Sequence, residues 1–351
     1  MKFNTKLNLL ILFVLSVLTT KITAQYSSKK VKTKFEVYTD SLKQVDYNYI
    51  FPILGQKVYE KGFDIPYPVG IMANSIWMRQ DIVFSNFQLG FKNDNLDIPL
   101  TSVEFIKFGK NTNDSQNYTI RPDIWVLPFL NVYGLFGYGR STTDVNVTVP
   151  INLNTVVEQD FATKGFGVMA AGGVGPVWFS VDLNWTWNKP KLLDKPVQVN
   201  VMGIRFGHTF VFKQNPKRNI AVWVGGMRAK MGTETSGEIS LREALPSDVW
   251  DKKDQFVADY DEWRNSPAYD DLTIAQKAAV NKVLDPLVNV IDSANGDGVV
   301  RYAMDKQTKQ LWNGLVGAQF QLNKRWQFRT EGGVLGNRKS FLISANYRFL
   351  L

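Results

Sequence analysis

The last forty-one residues, 311–351, read as three short strands joined by two tight turns. In the final strand Phe341, Ile343, Ala345, Tyr347, Phe349 and Leu351 share one parity. Ser340, Ser344, Asn346 and Arg348 share the other, with Leu342 and Leu350 as exceptions. Successive strand side chains point to opposite faces, so one face is greasy and the other wet. The strand before it repeats the rule, with Trp326, Phe328 and Val334 against Gln327, Arg329 and Glu331; Asn323-Lys324 and Gly336-Asn337 make the turns. Such alternation suits a soluble sandwich, whose apolar face meets a core. It equally suits a membrane barrel, whose apolar face meets lipid.

The rest of the chain decides between them. Strands recur over residues 81–91, 100–108, 117–127, 132–149, 161–173, 177–188, 197–212 and 219–231. The cleanest sets Val177, Phe179, Val181, Leu183, Trp185 and Trp187 against Trp178, Ser180, Asp182, Asn184, Thr186 and Asn188. Residues 197–212 change parity near Met202-Gly203, as a bulge would make them. In 219–231, Trp223, Met227 and Met231 oppose Arg228 and Lys230. With 69–78 as a first strand the count is twelve, and single-chain bacterial barrels use even numbers; ten and fourteen are the other counts that fit. The fold class expected is all-β: a closed antiparallel transmembrane β-barrel of about 12 strands over residues 69–351.

Residues 1–24 have the layout of a cleaved export signal, with Lys2 and Lys6 before an apolar run and Ile22 and Ala24 before the cut. No later apolar segment is long enough for a spanning helix, and only helices and closed barrels satisfy their own backbone in lipid. Residues 25–68, broken by Pro52 and Gly55, form a periplasmic segment or a plug. Residues 232–310 show no strand period and read as a helical insertion, with helices over 249–264 and 271–291 and a kink at Pro286. An unstructured loop of that length is improbable in a compact fold, so a cap or plug is expected.

The formal charge is +9. Its lysines and arginines form no run, and the signal leads out of the cytosol, so nucleic acid is not an expected partner. The absence of cysteine excludes disulfides and thiolate chemistry. In a barrel with both ends in the periplasm, residues 173–176, 213–218 and 323–324 become short periplasmic turns. Residues 109–116, 150–160, 188–196 and the insertion become outer loops. The signal, the aromatic strands and the closing Asn346-Tyr347-Arg348-Phe349 resemble outer-membrane β-barrel proteins of Gram-negative bacteria. The Lys/Asn/Tyr-rich composition resembles Bacteroidota members. That resemblance implies an outer-membrane location, contact with outer-membrane lipid, and insertion by the barrel-assembly machinery.

Arg121, Asp123, Asp182, Arg205, Arg228, Lys230, Arg329, Glu331 and Arg348 are expected to face the lumen. They form either a charged constriction that selects solutes or a salt-bridged interior that holds a small barrel rigid. His208, the one histidine, has no serine two residues away on its own face, so a catalytic base–nucleophile pair is not expected. One His and no Cys argue against zinc. The stretch 292–298 fits a calcium loop poorly, because its twelfth position would be Met304. No cofactor is expected. The functional expectation is a channel or transporter for small solutes. A non-conducting barrel that binds an envelope partner through 232–310 is the alternative, and a lipid-modifying enzyme the third reading.

Overall fold

A computed structural model describes residues 32–232, 234–293 and 296–350. The export signal expected over residues 1–24 lies outside them. Fourteen strands form one sheet, and ten of them close a ring: β1 (Val69–Lys92), β4 (Asn111–Leu127), β5 (Leu130–Val149), β6 (Leu153–Val174), β7 (Val177–Pro190), β8 (Val197–Val211), β9 (Asn219–Met231), β12 (Trp312–Gln321), β13 (Trp326–Leu335) and β14 (Arg338–Phe349). Every pairing is antiparallel, and closure comes from β1, which pairs with β14 on one edge and with β4 on the other. Closing the sheet removes its free edges, the condition for placing strands in lipid.

The ring therefore holds ten strands, not twelve. Residues 69–78 and 81–91, read from sequence as two strands, are one strand of 24 residues. Residues 100–108 contribute only the short β2 (Asp97–Ser102) and β3 (Lys107–Phe108), which pair with β1 and β5 without entering the ring. Residues 109–116, expected as a loop, open β4 instead, and β6 starts within the expected loop 150–160. Asn, Asp and Thr there signalled a turn by composition, yet above the lipid a strand carries polar residues on both faces at no cost.

Beyond Gln80, β1 loses β14, and from Ile82 it takes up β11 (Val299–Thr308), which pairs in turn with β10 (Glu234–Ser240). Asn86, with φ of 52°, lies in the bulge between Ser85 and Gln88, where the β1–β11 register shifts. From β10, Gly237 bridges to Leu193 in the β7–β8 connection. The β10–β11 ribbon thus reaches from β1 to the β7–β8 connection over the cap end of the ring. Between them lies the helical segment expected from sequence: α3 (Leu241–Ala244), α4 (Ser247–Asp251), α5 (Lys253–Arg264), α6 (Pro267–Asp270), α7 (Ile274–Ala279) and α8 (Asp285–Asp292). Thr273 and Gln276 make a capping box that starts α7. A single π turn, Val280–Leu284, sits directly before Pro286 and absorbs the proline that sequence read as a kink.

The apolar core lies in this cap, where Phe91, Val103, Leu241, Val280, Val283 and Trp263 pack between the top of β1 and the helices. The ring itself is apolar on the outside. Ile71, Trp77, Ile120, Phe136, Phe166, Phe179, Phe206, Val224, Val316, Phe328 and Ile343 all point outward and exposed. An apolar surface continuous around ten strands is far larger than a soluble monomer exposes, and it is the lipid-facing belt of a membrane barrel. Trp77 stacks on Phe341 and Phe166 on Trp185 near the cap end, while Trp326 meets Tyr347 edge-on near the other. Tryptophan and tyrosine at both rims are the usual interfacial girdles.

At the short-turn end, residues 32–68 carry α1 (Lys34–Leu42) and α2 (Gly55–Glu60). They dock on the turns: Lys324 pairs with Asp64 at 2.8 Å, the Tyr38 hydroxyl donates to the same carboxylate at 2.6 Å, and Ile53 N–H donates to the Val126 carbonyl. Burial and then the Asp64 carboxylate push the Tyr38 phenol above its ordinary range. None of these residues lines the interior cavity.

Candidate functional site: a charged septum below a capped cavity

Polar side chains meet inside the ring near its short-turn end. Arg205 on β8 is the centre. Its Nε and Nη2 donate to the two oxygens of Glu331 on β13 at 2.7 and 3.0 Å, and its Nη1 pairs with Asp182 on β7. Glu331 also accepts from Arg329 Nη2 at 2.6 Å and from Trp223 Nε1 at 2.8 Å. Asp182 accepts from Asn184, whose amide oxygen takes the Tyr133 hydroxyl at 2.6 Å. The Arg121 guanidinium sits 3.6 Å from the Tyr133 ring centroid, within cation–π range.

From Arg121 the chain of contacts continues to the N-terminal segment. Arg121 Nη2 donates to Asn131 Oδ1 at 3.0 Å, and Asn131 Nδ2 donates to Asp123 Oδ1 at 2.8 Å. Arg348 Nη2 donates to that same oxygen at 3.0 Å and to the Pro68 carbonyl, while its Nε donates to the Tyr67 carbonyl. These residues come from β4, β5, β7, β8, β9, β13 and β14, so the network crosses the lumen rather than running along one wall. A ten-stranded barrel is narrow enough for long side chains to meet across it. Small residues make room: a Cβ on Gly203 would stand 2.5 Å from Asp182 Oδ1 and 2.7 Å from Arg205 Nη1. Charges buried this deeply are tolerable only when paired and hydrogen-bonded, and the bidentate Arg205–Glu331 geometry is the strong form of such a pair.

Seven of the nine charges expected in the lumen are brought together here: Arg121, Asp123, Asp182, Arg205, Arg329, Glu331 and Arg348. Arg228 and Lys230 are not. They alternate with Met227, Ala229 and Met231, which line the interior, so they face outward at the cap end of β9. The expectation put the Trp223–Met227–Met231 parity of β9 on the lipid; that parity faces inward along the strand, with Trp223 in the septum and Met227 and Met231 above it. The same inversion explains β8. Its pairings with β7 and β9 run without a register shift, so there is no bulge at Met202-Gly203. Val197, Val199 and Val201 face in at the top, and Phe206 and Phe210 face out at the bottom. What changes along these strands is the chemistry of the lumen.

Above the septum lies a cavity of about 670 Å³. Arg205, Arg329 and Glu331 form its floor, and Leu284, Leu287 and Val288 of the cap contribute its roof. One wall is apolar, built from Val199, Val201 and Met227. The other, on β1, β4, β5 and β14, mixes polar side chains with Met78, Val145 and Leu342. That wall carries polar residues the sequence reading passed over. Arg338, Gln80, Asn113 and Thr143 are cross-strand neighbours in one row over β14, β1, β4 and β5. Lys306 of β11 reaches the end of the row, its Nζ 3.4 Å from Thr143 Oγ1. Burial alone pushes the Lys306 ammonium down to about 8. A signal existed: Val300, Tyr302, Met304, Lys306 and Thr308 alternate with Arg301, Ala303, Asp305 and Gln307.

His208 stands on the outer face of β8 against Phe210, with ring centroids 4.4 Å apart. Among the described residues no three His, Asp or Glu side chains are placed to hold a metal ion, and no helix is long and apolar enough to cross a membrane.

The architecture is that of a closed antiparallel β-barrel with an apolar outer belt, as in proteins that span a membrane with strands. No family model and no curated protein matches the chain. Among solved structures, the β domain of the Bordetella autotransporter BrkA is 9% identical, with 80% of this chain and 100% of that one covered and a TM-score of 0.36. The transport unit of the Escherichia coli autotransporter AIDA-I is also 9% identical, covering 91% and 100%, with a TM-score of 0.33. The Ralstonia pickettii toluene transporter TbuX is 7% identical, covering 81% and 90%, with a TM-score of 0.28.

Proposed function

We propose that this chain resides in the outer membrane and handles a small solute, which it holds in the capped cavity instead of passing it through a standing pore. The observation that carries this reading is the septum: the lumen charges that could have lined a channel are spent on one another. With its short turns in the periplasm, as in other outer-membrane barrels, the septum closes the periplasmic end and the helical cap faces outside. Release toward the periplasm then requires the Arg205–Glu331 cross-link to open. Cavities of about 300–1,000 Å³ suit a single small-molecule ligand. No enzymatic step is assigned to His208, which faces the lipid side and away from the cavity.

The chain has no cysteine, so single substitutions report cleanly. In proteoliposomes of fixed orientation, Met227→Cys is expected to resist a membrane-impermeant thiol reagent added on the short-turn side. Glu331→Gln in the same background should admit it. Equal labelling from the short-turn side with and without that change would mean the lumen is open, and the reading would fall.

A further inference from the structure

The row Arg338–Gln80–Asn113–Thr143, with Lys306 at its far end, has more hydrogen-bond donors than acceptors. Arg338 is 3% exposed; its Nε donates to Gln80 Oε1 at 3.0 Å, and its Nη1 and Nη2 are buried with no partner. Asn113 Nδ2 donates to Ser141 Oγ at 2.7 Å and to Thr143 Oγ1 at 3.0 Å, so the hydroxyls are already taken as acceptors. Neither Arg338 nor Lys306 has a carboxylate within ion-pair distance among the described residues, in contrast to Arg205 and Arg348 in the septum. Arg338, Lys306 and the row between them all line the cavity.

A buried guanidinium without a counter-charge is expensive, and Lys306, half-buried on the cavity wall, has no counter-charge either. The Arg338 guanidinium reaches across to Gln80 and the Lys306 ammonium to Thr143, with the Asn113 amide between them, a ledge of donors that suits an anionic head. The Val199, Val201 and Met227 face of β8 and β9, under the cap leucines, suits a hydrocarbon tail. We propose that the cavity binds an amphipathic anion, a single-chain carboxylate with its head on the Arg338–Lys306 ledge and its tail against β8, β9 and the cap. This rests on the solute-holding reading above and specifies its ligand class.

The test uses the full chain in lipid nanodiscs and a twelve-carbon carboxylate with a photoreactive diazirine at its tail. Adducts mapped by mass spectrometry are expected on cavity-facing residues of β8, β9 or the cap. Dodecanoate should compete and the equally long neutral alcohol should not. Lys306→Met with Arg338→Gln should lower cavity labelling at least about tenfold, as loss of charge-assisted hydrogen bonds does, while the cavity-filling Val199→Trp abolishes it. Heat-modifiable migration on gels confirms that each variant is folded. If the alcohol competes as well as the acid and the double variant labels normally, the ligand class is wrong although the cavity still binds. Should adducts fall only on outward belt residues and ignore Val199→Trp, the solute-holding reading fails with it.

Discussion

Arg205 and Glu331 lie 126 residues apart in sequence and meet face to face inside the barrel, joined by parallel hydrogen bonds of 2.7 and 3.0 Å. The pair ties β8 to β13, two strands that are not neighbours in the ring. Removing one partner leaves an uncompensated buried charge. Glu331→Gln and Arg205→Met are each expected to destabilise the barrel by about 3–5 kcal/mol. The measurement is urea unfolding from lipid vesicles, followed by tryptophan fluorescence. The double variant, Arg205→Met with Glu331→Gln, should lose less than the sum of the two, because coupled partners are not additive. Additive losses would show that the two side chains act independently.

Gly203 is the wall position that admits this pair. Gly203→Val puts a branched side chain where Asp182 and Arg205 meet, and overpacking of this kind costs about 1–3 kcal/mol. Gly175, in the β6–β7 turn, has open space around its Cβ position but φ of 61°, so Gly175→Asn, which tolerates that region, is the matched control with little change. Equal stabilities of the two variants would contradict a crowded septum.

Lys306 gives a pH dependence. Its native pKa is about 8, against an ordinary lysine value of about 10.4. Between those values the unfolded chain binds more protons than the native one, so stability rises with pH across that window; the full penalty applies below about pH 8. Lys306→Met should therefore stabilise the protein at neutral pH, and its advantage should shrink as pH climbs toward about 10. Denaturant midpoints of the two proteins across the window measure this. A constant difference would mean that Lys306 is not desolvated.

The helical cap contributes no strand to the ring. Replacing residues 241–296 with a short turn between Ser240 and Asp297 leaves the β10–β11 ladder intact. The shortened chain is expected to insert and to keep heat-modifiable migration. In that background Met227→Cys should react with a cap-side thiol reagent much faster than in the full-length chain, while outward Arg228→Cys reacts at the same rate in both. Unchanged Met227→Cys labelling would show that the helices do not cover the cavity.

Where the lumen and the lipid differ in polarity, sequence reads the barrel well. The parity of β14 is as expected: Phe341, Ile343 and Tyr347 are exposed, and Ser344, Asn346 and Arg348 are buried. So is that of β7, where Phe179 is exposed and Asp182 buried. The reading fails where both faces are alike. At the top of β8 and β9 the interior is itself apolar, so Val199 and Met227 look like lipid-facing residues and Arg228 like a lumen charge. Above the belt both faces of β4 are polar, so residues 109–116 look like a loop. Strand number is hidden for a related reason: nothing between Met78 and Asp81 says whether a chain turns or simply leaves the membrane. The seven septum charges were identifiable by parity, but their pairing depends on ring closure, which no local pattern encodes.

Conductance in planar bilayers tests the closed septum most directly. The full-length protein, inserted as a folded barrel, is expected to show no steady open-pore current at low voltage. Glu331→Gln or Arg205→Met, in the same membrane, should show openings. A stable, porin-like conductance from the unmodified chain, unaltered by either substitution, would contradict a lumen closed by Arg205, Asp182 and Glu331.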